Sequence, residues 1–219
     1  DEGSSKTQQW VEKNQNIILS LVAVIALSVI GIYLYSNFVI KPKEQKAFNE
    51  MYYSQKKFDE AILINNDSLY NLVLNGDGTN MGMLDMIDEY GGTNAANLAA
   101  YYSGMIYLKM NDYKNSIKYL SEFSSEDMIL GSLATGSIGD AFAELNQFED
   151  AYEYYVKASK NNDSYTSPIY LFKAGLIAMK LEKFKKAEGY FSSIKSDYSK
   201  SAEAKNIDAY ISKARASYQ

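Results

Sequence analysis

From Ile17 to Ile40 the chain reads IILSLVAVIALSVIGIYLYSNFVI, without one charged residue. As a helix at ~1.5 Å per residue this run reaches roughly 36 Å, enough to cross a hydrocarbon core of ~30 Å. Trp10 lies before it, while Tyr33, Tyr35 and Phe38 lie toward its far end, where interfacial aromatics belong. Lys41 and Lys43 close the run, and Pro42 marks a place for the helix to bend on leaving the bilayer. A cleavable signal peptide would carry a shorter apolar region of ~7–15 residues and a small-residue cleavage site. Ser36-Asn37-Phe38 is a poor substitute for that site. The reading is a single-pass transmembrane helix over 17–40, with Ile17, Leu27, Gly31, Tyr35 and Ile40 along its course. Residues 1–16 form a juxtamembrane segment.

Charge gives an ambiguous orientation. Lys6 and Lys13 precede the span, whereas Lys41, Lys43, Lys46, Lys56 and Lys57 follow it. The positive-inside rule would leave the C-terminal part in the cytoplasm. The start at Asp1 rather than Met leads us to expect an upstream segment that carries further charges. Loops much longer than ~60 residues also translocate with little regard to charge. The flanking charges leave the side undecided.

Beyond the span the chain repeats itself at intervals of about 35 residues. The three copies are GMIYLKMNDYKNSIKYLSEF from Gly104, GDAFAELNQFEDAYEYYVKA from Gly139 and GLIAMKLEKFKKAEGYFSSI from Gly175. An aromatic follows each glycine at the expected inter-helix turn: Tyr113, Phe148, Phe184. A small residue comes next (Ser116, Ala151, Ala187), then a large apolar one (Leu120, Tyr155, Phe191). The pattern predicts helical hairpins, the glycine and small residue permitting close approach and the aromatic filling the wedge. It resembles the tetratricopeptide repeat, a helix–turn–helix unit of ~34 residues. Ala100, Thr135 and Leu171 replace the usual tryptophan, and the usual proline after the second helix is absent.

The resemblance implies an all-α solenoid over 41–219, with clear repeats at about 97–130, 132–165 and 168–199. A degenerate copy with an insertion spans 43–92. There Phe58 and Ala61 take the turn and second-helix positions, and Asn65–Gly82 interrupts the period. A short helix is expected over Met83–Glu89, with Tyr90-Gly91-Gly92-Thr93 as linker. An amphipathic capping helix is expected over Ser201–Tyr218.

Little in the chain suggests catalysis. It contains no histidine and no cysteine, which removes the neutral-pH proton carrier, the thiol nucleophile and thiolate metal sites. A net charge of −5 argues against bulk nucleic-acid binding. Asn75-Gly76-Asp77-Gly78-Thr79 begins like a calcium loop, but Asn80 and Met86 stand where its glycine and bidentate acid belong, leaving a glycine-rich turn. Glu149-Asp150 and Asp88-Glu89 read as solvated helix surface. Asn66-Asp67-Ser68 and Asn162-Asp163-Ser164 fit the short glycosylation sequon. We expect no enzyme, cofactor or metal.

In the resembled repeat, the first helix of each pair lines a concave binding face. Carried across, the candidates are Leu98, Tyr101, Met105 and Leu108, then Leu133 and Asp140, then Ile169, Phe172, Leu176 and Met179, with Gly136 and Ala143 beside them. Methionines and aromatics would suit varied apolar segments. Coverage by the C-terminal helix or a neighbouring repeat is the alternative.

An N-terminal anchor followed by about four such repeats resembles the YfgM family of ancillary SecYEG translocon subunits. The resemblance implies a bacterial inner-membrane protein with a periplasmic domain. Its expected partners are the translocon, a PpiD-like membrane-anchored chaperone and emerging or unfolded secretory polypeptides. The alternative is a scaffold in another envelope secretion or motility complex, where Ala23, Ala26, Ser28 and Gly31 would let transmembrane helices pack closely.

Overall fold

A computed structural model describes residues 10–219, all of whose regular structure is helical. Lys6 lies outside the described residues. By its internal contacts the chain divides into a unit ending at Lys46 and a second over Ala47–Gln219.

In the first unit, α1 (Gln15–Tyr35) runs into a π-helical segment, Ser36–Ile40, and then into the start of α2 (Lys41–Ile64), most of which belongs to the second unit. No residue of α1 is buried. It belongs to the one helix among the described residues that is long and apolar enough to cross a membrane. The π segment has a local cause. Pro42 has no N–H to give the carbonyl one turn back, and the Lys41 N–H bonds Ser36 O, five residues behind it. Asn37 stitches the widened turn, donating to Tyr33 O (3.0 Å) and accepting from Lys41 Nζ (2.6 Å). The helix thus passes the proline without a loop.

The second unit continues with α3 (Asp67–Asn75), α4 (Met83–Glu89), α5 (Asn94–Lys109), α6 (Tyr113–Glu122), α7 (Met128–Glu144), α8 (Phe148–Ala158), α9 (Thr166–Lys180), α10 (Phe184–Asp197) and α11 (Ile207–Ala216). Its first core joins Met51 and Ala61 of α2 to Tyr70, Val73 and Leu74 of α3, Met83 and Met86 of α4, and Ala95, Ala99 and Ile106 of α5.

α5–α6, α7–α8 and α9–α10 are three hairpins with the same turn. Asn111, Asn146 and Glu182 all take left-handed φ (60°, 59° and 57°). Two backbone bonds close each turn: Asp112 N to Tyr107 O and Asn111 N to Leu108 O, Gln147 N to Phe142 O and Asn146 N to Ala143 O, Lys183 N to Ala178 O and Glu182 N to Met179 O. This is the Schellman arrangement, which satisfies carbonyls that a helix end leaves without partners. Tyr113, Phe148 and Phe184 each open the second helix. Ser116, Ala151 and Ala187 are fully buried. A Cβ on Gly104 would lie 2.5 Å from Leu120, one on Gly139 2.8 Å from Tyr155, and one on Gly175 2.4 Å from Phe191. The glycine of the first helix is therefore the seat of the large residue of the second.

Two expectations need correction. Phe58 and Ala61 form no turn or second helix, because α2 runs through both to Ile64. The residue two before the turn aromatic must adopt left-handed φ, whereas Lys56 stays helical there, next to a helical Lys57–Glu60 pair (2.7 Å). The chain turns at Asn65 instead, φ 55°. Asn66 then caps α3 by accepting from Leu69 N, so the stretch read as an interruption contains a helix. At the far end α11 starts at Ile207 rather than Ser201, since Asn206 at φ 61° breaks any helix before it.

Candidate functional site

The predicted face residues lie on α5, α7 and α9, and nearly all are partly covered. Leu98 packs on the first core. Tyr101 and Met105 pack on Leu120, Ala134 and Ile138. Ile169 lies against the core of Ala151, Tyr155 and Tyr170. Phe172 and Met179 lie against Phe191 and Ile194. Leu108 and Leu133 are half-buried, and Leu176 is 40% exposed. At Phe172 the C-terminal helix takes part of the surface, with the Tyr210 ring edge-on at 4.9 Å.

Asp140 is committed to a structural cluster. It accepts from Tyr155 Oη and Lys173 Nζ, both at 2.6 Å, tying α7 to α8 and α9. Lys173 also lies 5.6 and 5.7 Å from the ring centres of Tyr155 and Tyr170. Burial, reinforced by the nearby Asp140 charge, pushes both phenols above their ordinary range. The two hydroxyls stay protonated at neutral pH, and Tyr155 donates.

Another opening in the second unit lies elsewhere, a cleft of ≈ 950 Å³. One wall is apolar, from Phe48 of α2, Ile87 of α4, Leu98 of α5 and Leu130 of α7. Gly91-Gly92-Thr93 and the N-terminal turn of α5 form its floor. The α6–α7 connection supplies the rim, with Glu122, Glu126 and Asp127 around Phe123. Among the described residues, no lysine or arginine lines it. Only Leu98 of the predicted face reaches this cleft.

Side-chain caps hold the cleft in shape. Thr93 Oγ1 accepts from Ala96 N and donates to Tyr90 O, fixing the start of α5. Asn97 donates to Ser124 O (2.7 Å) and accepts from Ser124 N (2.9 Å), which clamps the rim loop to α5. Asp127 caps α7 by accepting from Leu130 N (2.9 Å). A second cleft of ≈ 540 Å³ shares Phe123, Ser124 and Ser125 as its wall, and there the charged residues are Lys157 and Lys160. The rim loop thus divides an acidic opening from a basic one.

The Asn75–Thr79 turn is closed by the Asp77 side chain. Asp77 accepts from Thr79 N and Asn80 N, and those bonds hold its carboxyl well below the usual range. Sequence reasoning missed the acidic cleft because its residues come from five helices and two connections. The one local signal was the pair Glu126-Asp127 after two serines. Compared with protein-family models, curated proteins and solved structures, the chain matches none.

Proposed function

We propose that this chain is a non-enzymatic, membrane-anchored adaptor or chaperone working beside the SecYEG translocon. Its transmembrane helix would hold a tetratricopeptide-like domain on the periplasmic face of a bacterial inner membrane. There the domain binds a PpiD-like chaperone or emerging secretory chains. The observation that carries this reading is one span-length apolar helix joined in sequence to three hairpins of the same turn geometry. Stacked helical hairpins are a general means of presenting a polypeptide-binding surface.

Copurification in mild detergent, with crosslinking mass spectrometry, tests the assignment. Translocon subunits crosslinked to 47–219 are the expected result. Their absence while other envelope complexes are recovered intact would overturn it, and enrichment of a secretion or motility complex would identify a scaffold instead. Protease accessibility in spheroplasts tests the side, with digestion of the C-terminal domain expected.

A further inference from the structure

The acidic cleft differs from the predicted concave face in both position and chemistry. Its wall presents Phe48, 42% exposed, together with Leu98 and Leu130. Its rim presents Glu122, Glu126 and Asp127, all exposed and with no cation among the lining residues. An anionic ligand would be repelled, which excludes phosphates and nucleic acid. A wholly apolar segment would leave three carboxylates partly desolvated without compensation. The complementary occupant carries a large apolar side chain for the wall and a lysine or arginine beside it for the rim. At ≈ 950 Å³ the opening is large enough for several side chains, and the Asn97–Ser124 clamp means it need not be ordered on binding.

We propose that the cleft between the N-terminal turn of α5 and the α6–α7 connection docks an extended polypeptide segment in which large apolar and basic residues adjoin. This rests on the polypeptide-binding reading above and names the class of segment bound. The apolar side chain lies against Phe48, Leu98 and Leu130, and the cation meets Glu122 and Glu126 at the rim. The basic residues of the neighbouring cleft, Lys157 and Lys160, lie beyond the Phe123–Ser125 wall and reject the same cation there.

Binding is read on the full chain in nanodiscs by fluorescence anisotropy of a labelled Lys-Leu-Phe-Lys-Leu peptide. Its partners are the same peptide with glutamate for lysine and one with serine for leucine and phenylalanine. The lysine peptide alone is expected to bind, more weakly as salt rises through the screening range. Glu122→Gln with Glu126→Gln, at exposed sites that leave the fold intact by circular dichroism, is expected to weaken it by about tenfold. Leu98→Ser removes the wall independently and is expected to do the same. A photocrosslinker in the peptide should label Phe48 or Phe123. Equal binding of the glutamate peptide, an unchanged affinity in both variants, or labelling confined to other helices would overturn the proposal. If translocon copurification persists while the peptide fails to bind, only this inference falls; if both are lost in the wild-type chain, the broader reading falls with it.

Discussion

Glu182 holds the position at which the other two hairpins use asparagine, and it holds it in the same left-handed conformation. A branched-free but Cβ-bearing side chain costs ~1–2 kcal/mol there, while glycine carries no such cost. Glu182→Gly should therefore raise stability by about 1 kcal/mol, read as a higher urea midpoint with unchanged slope. A fall in midpoint would show that the Glu182 side chain makes a compensating contact. Ser116 offers a second residue-scale test. Its hydroxyl is buried without a hydrogen-bond partner, where the equivalent positions hold Ala151 and Ala187. Ser116→Ala removes the unpaired group with little loss of volume, so a gain of up to ~1 kcal/mol is expected, and a loss would point to a bond formed in solution. The tyrosine excess also has its explanation at this scale. Tyr107 stacks on Tyr119 at 5.5 Å, Tyr155 on Tyr170 at 6.3 Å, and Tyr152 Oη meets Tyr190 Oη at 2.7 Å. These rings fill the hairpins and bridge between them.

At the scale of elements, the glycines separate packing from propensity. Gly139 faces a Tyr155 ring that the Asp140 bond and the Tyr170 stack prevent from yielding. Gly139→Ala gains helix propensity of ~1 kcal/mol but forces overpacking of ~1–3 kcal/mol, so a net loss is expected. Gly189, in α10, has open space around it, and Gly189→Ala should stabilise by up to ~1 kcal/mol. Equal effects of the two in thermal melts would refute the close-approach account. The start of α9 is held differently. Burial opposes ionisation of Asp163, yet bonds from the Thr166 hydroxyl and the Thr166 and Tyr165 N–H groups outweigh it and lower its pKa. A lowered carboxylate contributes stability above its unfolded value near 3.8 and loses it as pH falls through the folded one. The amides at the start of α9 should thus lose hydrogen-exchange protection below about pH 4, and less steeply in Asp163→Asn. The same slope in both would remove the cap from the explanation. These elements differ in how far the sequence revealed them. Hairpin turns were legible because aromatic, small and large residues recur at fixed intervals. Phe58 and Ala61 mimicked that pattern, and only the left-handed residue, absent at Lys56, separates a turn from an uninterrupted helix. The acidic cleft was illegible because Phe48, Thr93, Leu98 and Leu130 are brought together by packing that no local period records.

For the whole molecule, the membrane assignment rests on α1 being apolar on every side with none of it buried, whereas a core helix of like composition would be covered by its own domain. The energetics can be tested at its centre. The leucines, isoleucines and valines of 17–40 each favour insertion by ~0.3–0.6 kcal/mol, together on the order of 5 kcal/mol. One lysine at the middle costs roughly 3 kcal/mol, so Leu27→Lys alone should leave the segment inserted. Leu27→Lys with Ile30→Lys costs about 6 kcal/mol, enough to cancel the gain. Under alkaline carbonate extraction, the wild type, Leu27→Ile and Leu27→Lys are expected in the membrane pellet and the double variant in the supernatant. Release of the wild type would mean that α1 lies on a surface or against another protein. Retention of the double variant would mean that 47–219 holds the membrane by itself, and the anchor would then have to be sought in that unit.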